Sequence, residues 1–298
     1  MAIFLCRALL VAALSQGTVA PSSNDSIPTD GRSWAALGRA YLGRYRVERP
    51  GPAVLDSAEH ALLRAVAAFG SADASAEADS ARVLRVQGWS ARALLGWTSG
   101  AVPIGATAWG PVPADLRLSP VLEELGENLL RACPKGGVLL TAATADTYAA
   151  WYMRFVRGLR PDLLVVPFAV WRSDTAFRAR AARDLRLGKR GAGDGWLAAL
   201  VDRRPACASM AFPSPPAGRL AVRWTSRPLV WVAEPHSGED RVPPRDFDFA
   251  ALKLALDTRD PWAQEALALY DRAARTNRSL CDAFATFKVS GAIPSCRR

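Results

Sequence analysis

The chain has 298 residues, of which 50% are hydrophobic and 22% charged, so it can bury a core and is neither disordered nor fibrous. Its net charge of +10 rests almost wholly on arginine, with four lysines (Lys135, Lys189, Lys253 and Lys288). Acidic residues are interspersed and no block of five like charges occurs, which speaks against a dedicated nucleic-acid arm.

The first stretch, MAIFLCRALLVAALSQGTVA, has the shape of a secretory signal over residues 1–20. Its apolar run is broken by Arg7 and is too short for a membrane span. Cuts after Ala13, Gly17 or Ala20 all remain open, and Cys6 lacks the small-residue setting of a lipoprotein signal. Residues 21–31 read as a linker, and no later segment is apolar enough to cross a bilayer. The expectation is an exported chain, periplasmic or secreted. Removal of the leader leaves Cys133, Cys207, Cys281 and Cys296, an even number that permits two disulfides in an oxidising compartment. Sequence leaves the pairing open, and proximity favours Cys281 with Cys296. Two histidines, His60 and His236, and no C-x-x-C pair imply no metal site, and nothing points to a cofactor.

Residues 32–97 read as helices. In SWAALGRAYLGRYRV, Trp34, Leu37, Gly38 and Tyr41 fall at the W-x2-L-G-x2-Y spacing, which resembles a tetratricopeptide helix. The partner helix carries Ala58, Leu62 and Ala65, and a third, Ala76 to Trp97, presents Ala81, Leu84, Ala91, Leu94 and Leu95 on one side. One and a half repeats cannot bury their faces alone, so these helices are expected to pack on the rest of the chain. Residues 98–114 form a Pro/Gly-rich connector holding Trp109.

Over 115–240 the rhythm becomes that of an α/β domain. A helix over 119–133, capped by Ser119 with Pro120 in its first turn, precedes the strand GGVLLTA. The helix ADTYAAWYMRFVRGL, the strand DLLVVPF and a helix capped by Ser173 or Asp174 follow. Strand, helix, strand predicts parallel pairing through a right-handed crossover. The loop GKRGAGDG lacks the Gly-Lys-Ser/Thr of a phosphate loop, WLAALVDRR is a short helix, and ASMAFPSPPAGRL reads as irregular. RLAVRW and RPLVWVA supply one or two further strands. Residues 241–298 give two helices and a tail, the first helix starting near Phe249 and the second capped by Asp260. The predicted fold is α/β: a small doubly wound parallel sheet of about four strands, flanked by tetratricopeptide-like helices before it and helices after it.

In such a sheet, ligands bind beyond the carboxyl ends of the strands. Thr141, Thr144, Asp146 and Thr147 follow the first strand, Arg172 and Asp174 the second, and Glu234, His236, Glu239 and Asp240 the last. If the strands are adjacent these groups converge into one polar cluster, with a helix N-terminus able to hold an anion. Asp146 and Asp174 equally suit helix capping, His236 suits an exposed loop, and Trp151 and Tyr152 suit packing on the sheet. No serine sits in a G-x-S-x-G elbow.

The stretch LLTAATADTYAAWYMRFVRGLRPDLLVV resembles the soluble C-terminal region of bacterial membrane proteins that look like protein O-mannosyltransferases. The matching positions are Thr141, Asp146, Thr147, Tyr148, Trp151, Tyr152, Gly158, Arg160, Asp162, Val165 and Val166, with Arg227-Pro228 before a later strand. Where that family carries Asn-Gly-Asp-Asn, this chain has Ala142-Ala143-Thr144-Ala145, so methyls replace the groups that would bond a sugar or a cation. The resemblance implies the fold, while the departures favour a non-catalytic role. The expected function is an exported accessory protein docking on a protein partner in a membrane-associated complex through helical and tryptophan-rich surfaces, without nucleic acid; Trp97, Trp109, Trp196 and Trp262 lie outside the predicted strands, some as core and any exposed ones as interface. A glycan- or nucleotide-sugar-binding protein using the strand-end cluster is the alternative.

Overall fold

A computed structural model describes residues 28–297, apart from 49–50, 71–75, 102–111, 143, 194, 217–221 and 239. The expected leader over 1–20, most of the expected linker, Trp109 and Glu239 lie outside the described residues.

Three helices come first among the described residues: α1 (Gly31–Glu48), α2 (Pro52–Ala68) and α3 (Ala76–Ser99). A Cβ on Gly38 would lie 2.6 Å from Leu62 Cγ, so the close crossing of α1 and α2 requires glycine there. Leu42, Leu55, Ala58 and Leu62 form a small core of their own, with Tyr41 packed against it. Ala81 near the start of α3 joins a second such cluster with Ala35 and Ala65. Further along, Val83, Val86, Ala93 and Trp97 enter the main core of the molecule. The third helix therefore stitches the N-terminal hairpin onto the body, as the shortness of the repeat region requires.

The body is built on five strands in the order β2-β1-β3-β5-β4: β1 (Val138–Thr141), β2 (Leu164–Pro167), β3 (Ala206–Ser209), β4 (Trp224–Ser226) and β5 (Val230–Ala233). β1 pairs in parallel with β2 and β3, whereas β3 with β5 and β4 with β5 are antiparallel. The sheet is thus mixed and five-stranded, not parallel with about four strands. The extra strand, Ala206–Ser209, runs into the start of the segment read as irregular and is not among the expected strands; its residues are small and completely buried, and its β character comes from position between two partners. β4 and β5 form a hairpin with Leu229 in the left-handed region (φ 67°), which reverses the chain and turns β5 antiparallel.

α4 (Pro120–Ala132) precedes β1, and α5 (Thr144–Trp151) continues into a π-helical turn, Tyr152–Val156, on the way to β2. A Cβ on Gly126 of α4 would lie 2.4 Å from the carbonyl oxygen of Ala149, so backbone meets backbone where α4 crosses α5. Between β2 and β3 run α6 (Phe168–Ser173), α7 (Thr175–Asp184), α8 (Gly188–Ala192) and α9 (Trp196–Val201). The GKRGAGDG segment, read as loop, thus supplies the short α8. α10 (Ala250–Thr258), α11 (Ala263–Thr276) and α12 (Leu280–Thr286) close the chain, one helix more than the sequence pattern indicates. Phe249, Tyr270 and Phe284 pack together with ring centroids 4.5–5.8 Å apart. Ser119 does not cap α4 with its hydroxyl, which donates instead to Asp260 (2.7 Å).

Two disulfides are formed, Cys133–Cys207 and Cys281–Cys296, the latter as sequence proximity favours. The first ties the end of α4 to β3; the second ties α12 to the C-terminal tail. Among the described residues these tryptophans serve the core and not an exposed surface: Trp97 and Trp196 are buried and Trp262 is half-buried, because each fills a gap between elements. The exposed large hydrophobics among the described residues are Val47, Leu63 and Leu254. No described helix is long and apolar enough to cross a membrane.

Candidate functional site

A cleft of about 440 Å³ lies between the helical layer and the carboxyl ends of β1 and β2. That size is within the small-molecule range of roughly 300–1,000 Å³. α1 contributes Leu42, Tyr45 and Arg46 to its wall, and α3 contributes Gln87, Ser90, Ala91, Leu94 and Trp97. The opposite wall comes from Thr141, Thr147, Tyr148 and Trp151 around the β1–α5 turn, and from Val165, Pro167, Val170 and Asp174 along β2, α6 and the start of α7.

Anchors on both sides keep α3 over the sheet edge. Towards its N-terminal half, Arg85, 1% exposed, donates to Glu59 Oε1 on α2 (2.8 Å) and to Asp115 Oδ2 (2.7 Å) ahead of α4. Burial opposes the charge of Arg85, but the hydrogen bonds to Asp115 and Glu59 outweigh it and raise its pKa. At the C-terminal end, Arg180 of α7 donates to the carbonyls of Trp97 (2.9 Å) and Thr98, where the helix dipole favours a cation. Trp97 stacks on Phe177 with centroids 6.1 Å apart. Between these anchors the two layers separate, and the cleft occupies the space.

The β1–α5 turn is held by its own side chains. Asp146, 1% exposed, accepts from the backbone N–H of Ala142 (2.8 Å), reaching back across the helix start like the acidic half of a capping box. Thr147 Oγ1 donates to Thr141 Oγ1 (2.8 Å). Tyr152 donates to the carbonyl of Leu116 (3.0 Å), which fixes α5 against the segment before α4. Arg160 grips Asp162 through two bonds of 2.9 Å and also donates to the carbonyl of Leu130 (2.7 Å), while Asp162 accepts from Gly136 N–H (2.8 Å). The Arg160 guanidinium holds the Asp162 carboxyl well below the usual carboxylate range. These motif positions therefore shape the turn and lock the entry to β1.

Of the residues picked out in the sequence, Thr141, Thr147 and Asp174 line the cleft, Asp146 is buried in its turn and Thr144 opens α5. Asp174 also caps α7, accepting from Phe177 N–H (2.8 Å). Arg172 is exposed outside the cleft. Glu234 and His236 do not converge with the others. The register sets Ser209 opposite Val230 and Cys207 opposite Val232, so β5 ends at the level where β1 begins. Glu234 accepts from Thr225 Oγ1 (2.9 Å), His236 offers its carbonyl to Arg227 (3.2 Å), and Asp240 accepts from Lys135 N–H (2.9 Å), all at that far edge. An antiparallel last strand is the reason. Among the described residues no cluster of three His, Cys, Asp or Glu side chains is placed to hold a metal.

Sequence reasoning missed Gln87, Tyr148 and Arg46. A signal existed for the first: Gln87 falls on the same helical stripe as Leu84, Ala91 and Leu94, an amide inside an apolar face. Gln87 is 6% exposed, and its carboxamide makes no hydrogen bond with the described residues. The Tyr148 hydroxyl likewise has no partner among them, and burial pushes its pKa up to about 12 against the opposing charge of Arg46. Comparison of the chain with protein-family models, with characterised proteins and with solved structures finds no match.

Proposed function

We propose that the chain is an exported, non-catalytic binding protein, an accessory subunit of a membrane-associated periplasmic complex, with the cleft as its binding site. The observation that supports this most is the cleft itself: a sizeable volume at the carboxyl edge of parallel strands, with a mostly apolar surface and polar side chains contributed from both walls. The strand-end groups picked out in the sequence are held in structural bonds, Asp146 to Ala142, Asp174 to Phe177 and Thr147 to Thr141. The two disulfides suit an oxidising compartment.

Purification of the tagged chain from its native cell envelope in mild detergent tests the accessory role. Recovery in stoichiometric amounts with a larger complex is expected; recovery as a free chain overturns it. Asp146→Ala should lower stability by about 1–3 kcal/mol, because the turn loses the charge-assisted hydrogen bond from Ala142 N–H to the buried carboxylate, and leave the recovered complex intact. A melting curve and the same purification read both outcomes.

A glycan or sugar nucleotide is a second reading, favoured by Tyr148 and Trp151 beside the hydroxyls of Thr141 and Thr147. Calorimetric binding of a uridine diphosphate sugar, lost in Tyr148→Ala, would establish it.

A further inference from the structure

The cleft contains polar groups that the fold does not use. Gln87 is almost wholly buried in its wall with an unpaired carboxamide, and the Tyr148 hydroxyl is unpaired as well. The carboxamide is not sealed in the core but opens onto the cleft, where it is available to a group that enters from outside. Arg46, on the last turn of α1, lines the same cleft, is exposed and makes no ion pair with any described residue; the neighbouring Glu48 pairs with Arg44. These groups belong to one end of the cleft. Gly88 faces Leu42, one turn before Arg46, so Gln87 lies beside the end of α1, and the Arg46 charge is felt at Tyr148. Asp174 approaches from the α6–α7 side, with one carboxylate oxygen bonded to Phe177. Leu94, Leu95, Trp97, Val165 and Val170 make most of the remaining wall apolar, with the hydroxyls of Thr98 and Ser173 among them.

A guanidinium, an amide N–H and a phenol at one end, with hydrocarbon beyond, match an amphiphilic anion better than a sugar, which asks for polar partners on several sides. One arginine is also too little for a diphosphate. We infer that the cleft receives an organic monocarboxylate with an apolar body, its carboxylate held by Arg46, Gln87 and Tyr148 and its body lying against α3 and β2. This assignment rests on the cleft being the binding site, and it names the class of molecule held there.

The test is a calorimetric titration of the intact chain with dodecanoate and with 1-dodecanol, which share a body and differ in the head. One dodecanoate per chain is expected, with dodecanol weaker by about tenfold or more, as befits loss of charge-assisted bonds. Arg46→Ala, an exposed position that leaves the core untouched, should weaken dodecanoate by a similar factor and leave dodecanol unchanged. Gln87→Leu should do the same, with an unchanged melting curve showing that it folds. Equal binding of acid and alcohol, full dodecanoate affinity in both variants, or displacement of dodecanoate by a uridine diphosphate sugar would each overturn the assignment. If neither probe binds while the chain is still recovered with a larger complex, the ligand class falls and the accessory role stands. If dodecanoate binds as described but the chain is recovered alone, the accessory role falls and the ligand class stands.

Discussion

Burial and hydrogen bonding pull in opposite directions on Glu124. Its carboxylate accepts from Ala251 (2.6 Å) and Leu252 (3.1 Å), the free N–H groups at the start of α10, which favours charge. Burial favours the neutral acid more strongly, with Asp248 and Glu127 nearby, and raises the pKa to about 7. A folded-state pKa above the unfolded value gives stability that is complete below the unfolded pKa, near the ordinary 4.5, and is lost as pH rises through about 7. Denaturant midpoints should therefore fall between these limits in the native chain and stay flatter in Glu124→Gln, which keeps an acceptor without the charge. Asp162, with its pKa depressed by Arg160, acts in the reverse sense at much lower pH, since its contribution is lost only as acid protonates it. Nothing in the sequence marks Glu124 out from Glu123, because the distinction lies in α10, packed against it from more than a hundred residues away.

At the scale of elements, legibility followed the strength of local pattern. The apolar runs of β1 and β2, the Asp174 cap and the small–large–small spacing of α2 are local signals, and the structure places each where its residues indicate. β3 escaped notice because Ala206–Ser209 is short and made of small residues, so only its neighbours make it a strand. The α4–α5 crossing was equally hidden, since a glycine in a helix signals weakness until its partner is known. Gly126→Ala puts a methyl 2.4 Å from the Ala149 carbonyl oxygen, against backbone that cannot rotate away. We expect a loss of about 1–3 kcal/mol in denaturant unfolding. Because α5 carries Tyr148 and Trp151 into the cleft, the same change should disturb the β1–α5 turn, visible as faster amide exchange there.

Across the whole molecule, Cys133–Cys207 closes a sequence separation of 74 and joins α4 to the third strand of the sheet. Loop-closure entropy puts its contribution at about 4 kcal/mol, against about 3 kcal/mol for the shorter Cys281–Cys296 loop. The double variant Cys133→Ala/Cys207→Ala should melt well below the native chain, and Cys281→Ala/Cys296→Ala less so. Calorimetric melting under matched conditions separates the two. Sequence alone determined the elements whose cause is local: the early helical hairpin, the first two strands with their crossover, the capping carboxylates and the Cys281–Cys296 pair. The tertiary structure decided the rest. One left-handed residue in the β4–β5 turn made the last strand antiparallel and sent Glu234 and His236 to the far edge, away from Thr141 and Asp174. The Arg85 and Arg180 anchors, which act through partners distant in sequence, hold α3 over the strand ends and so create a cleft that no single segment encodes.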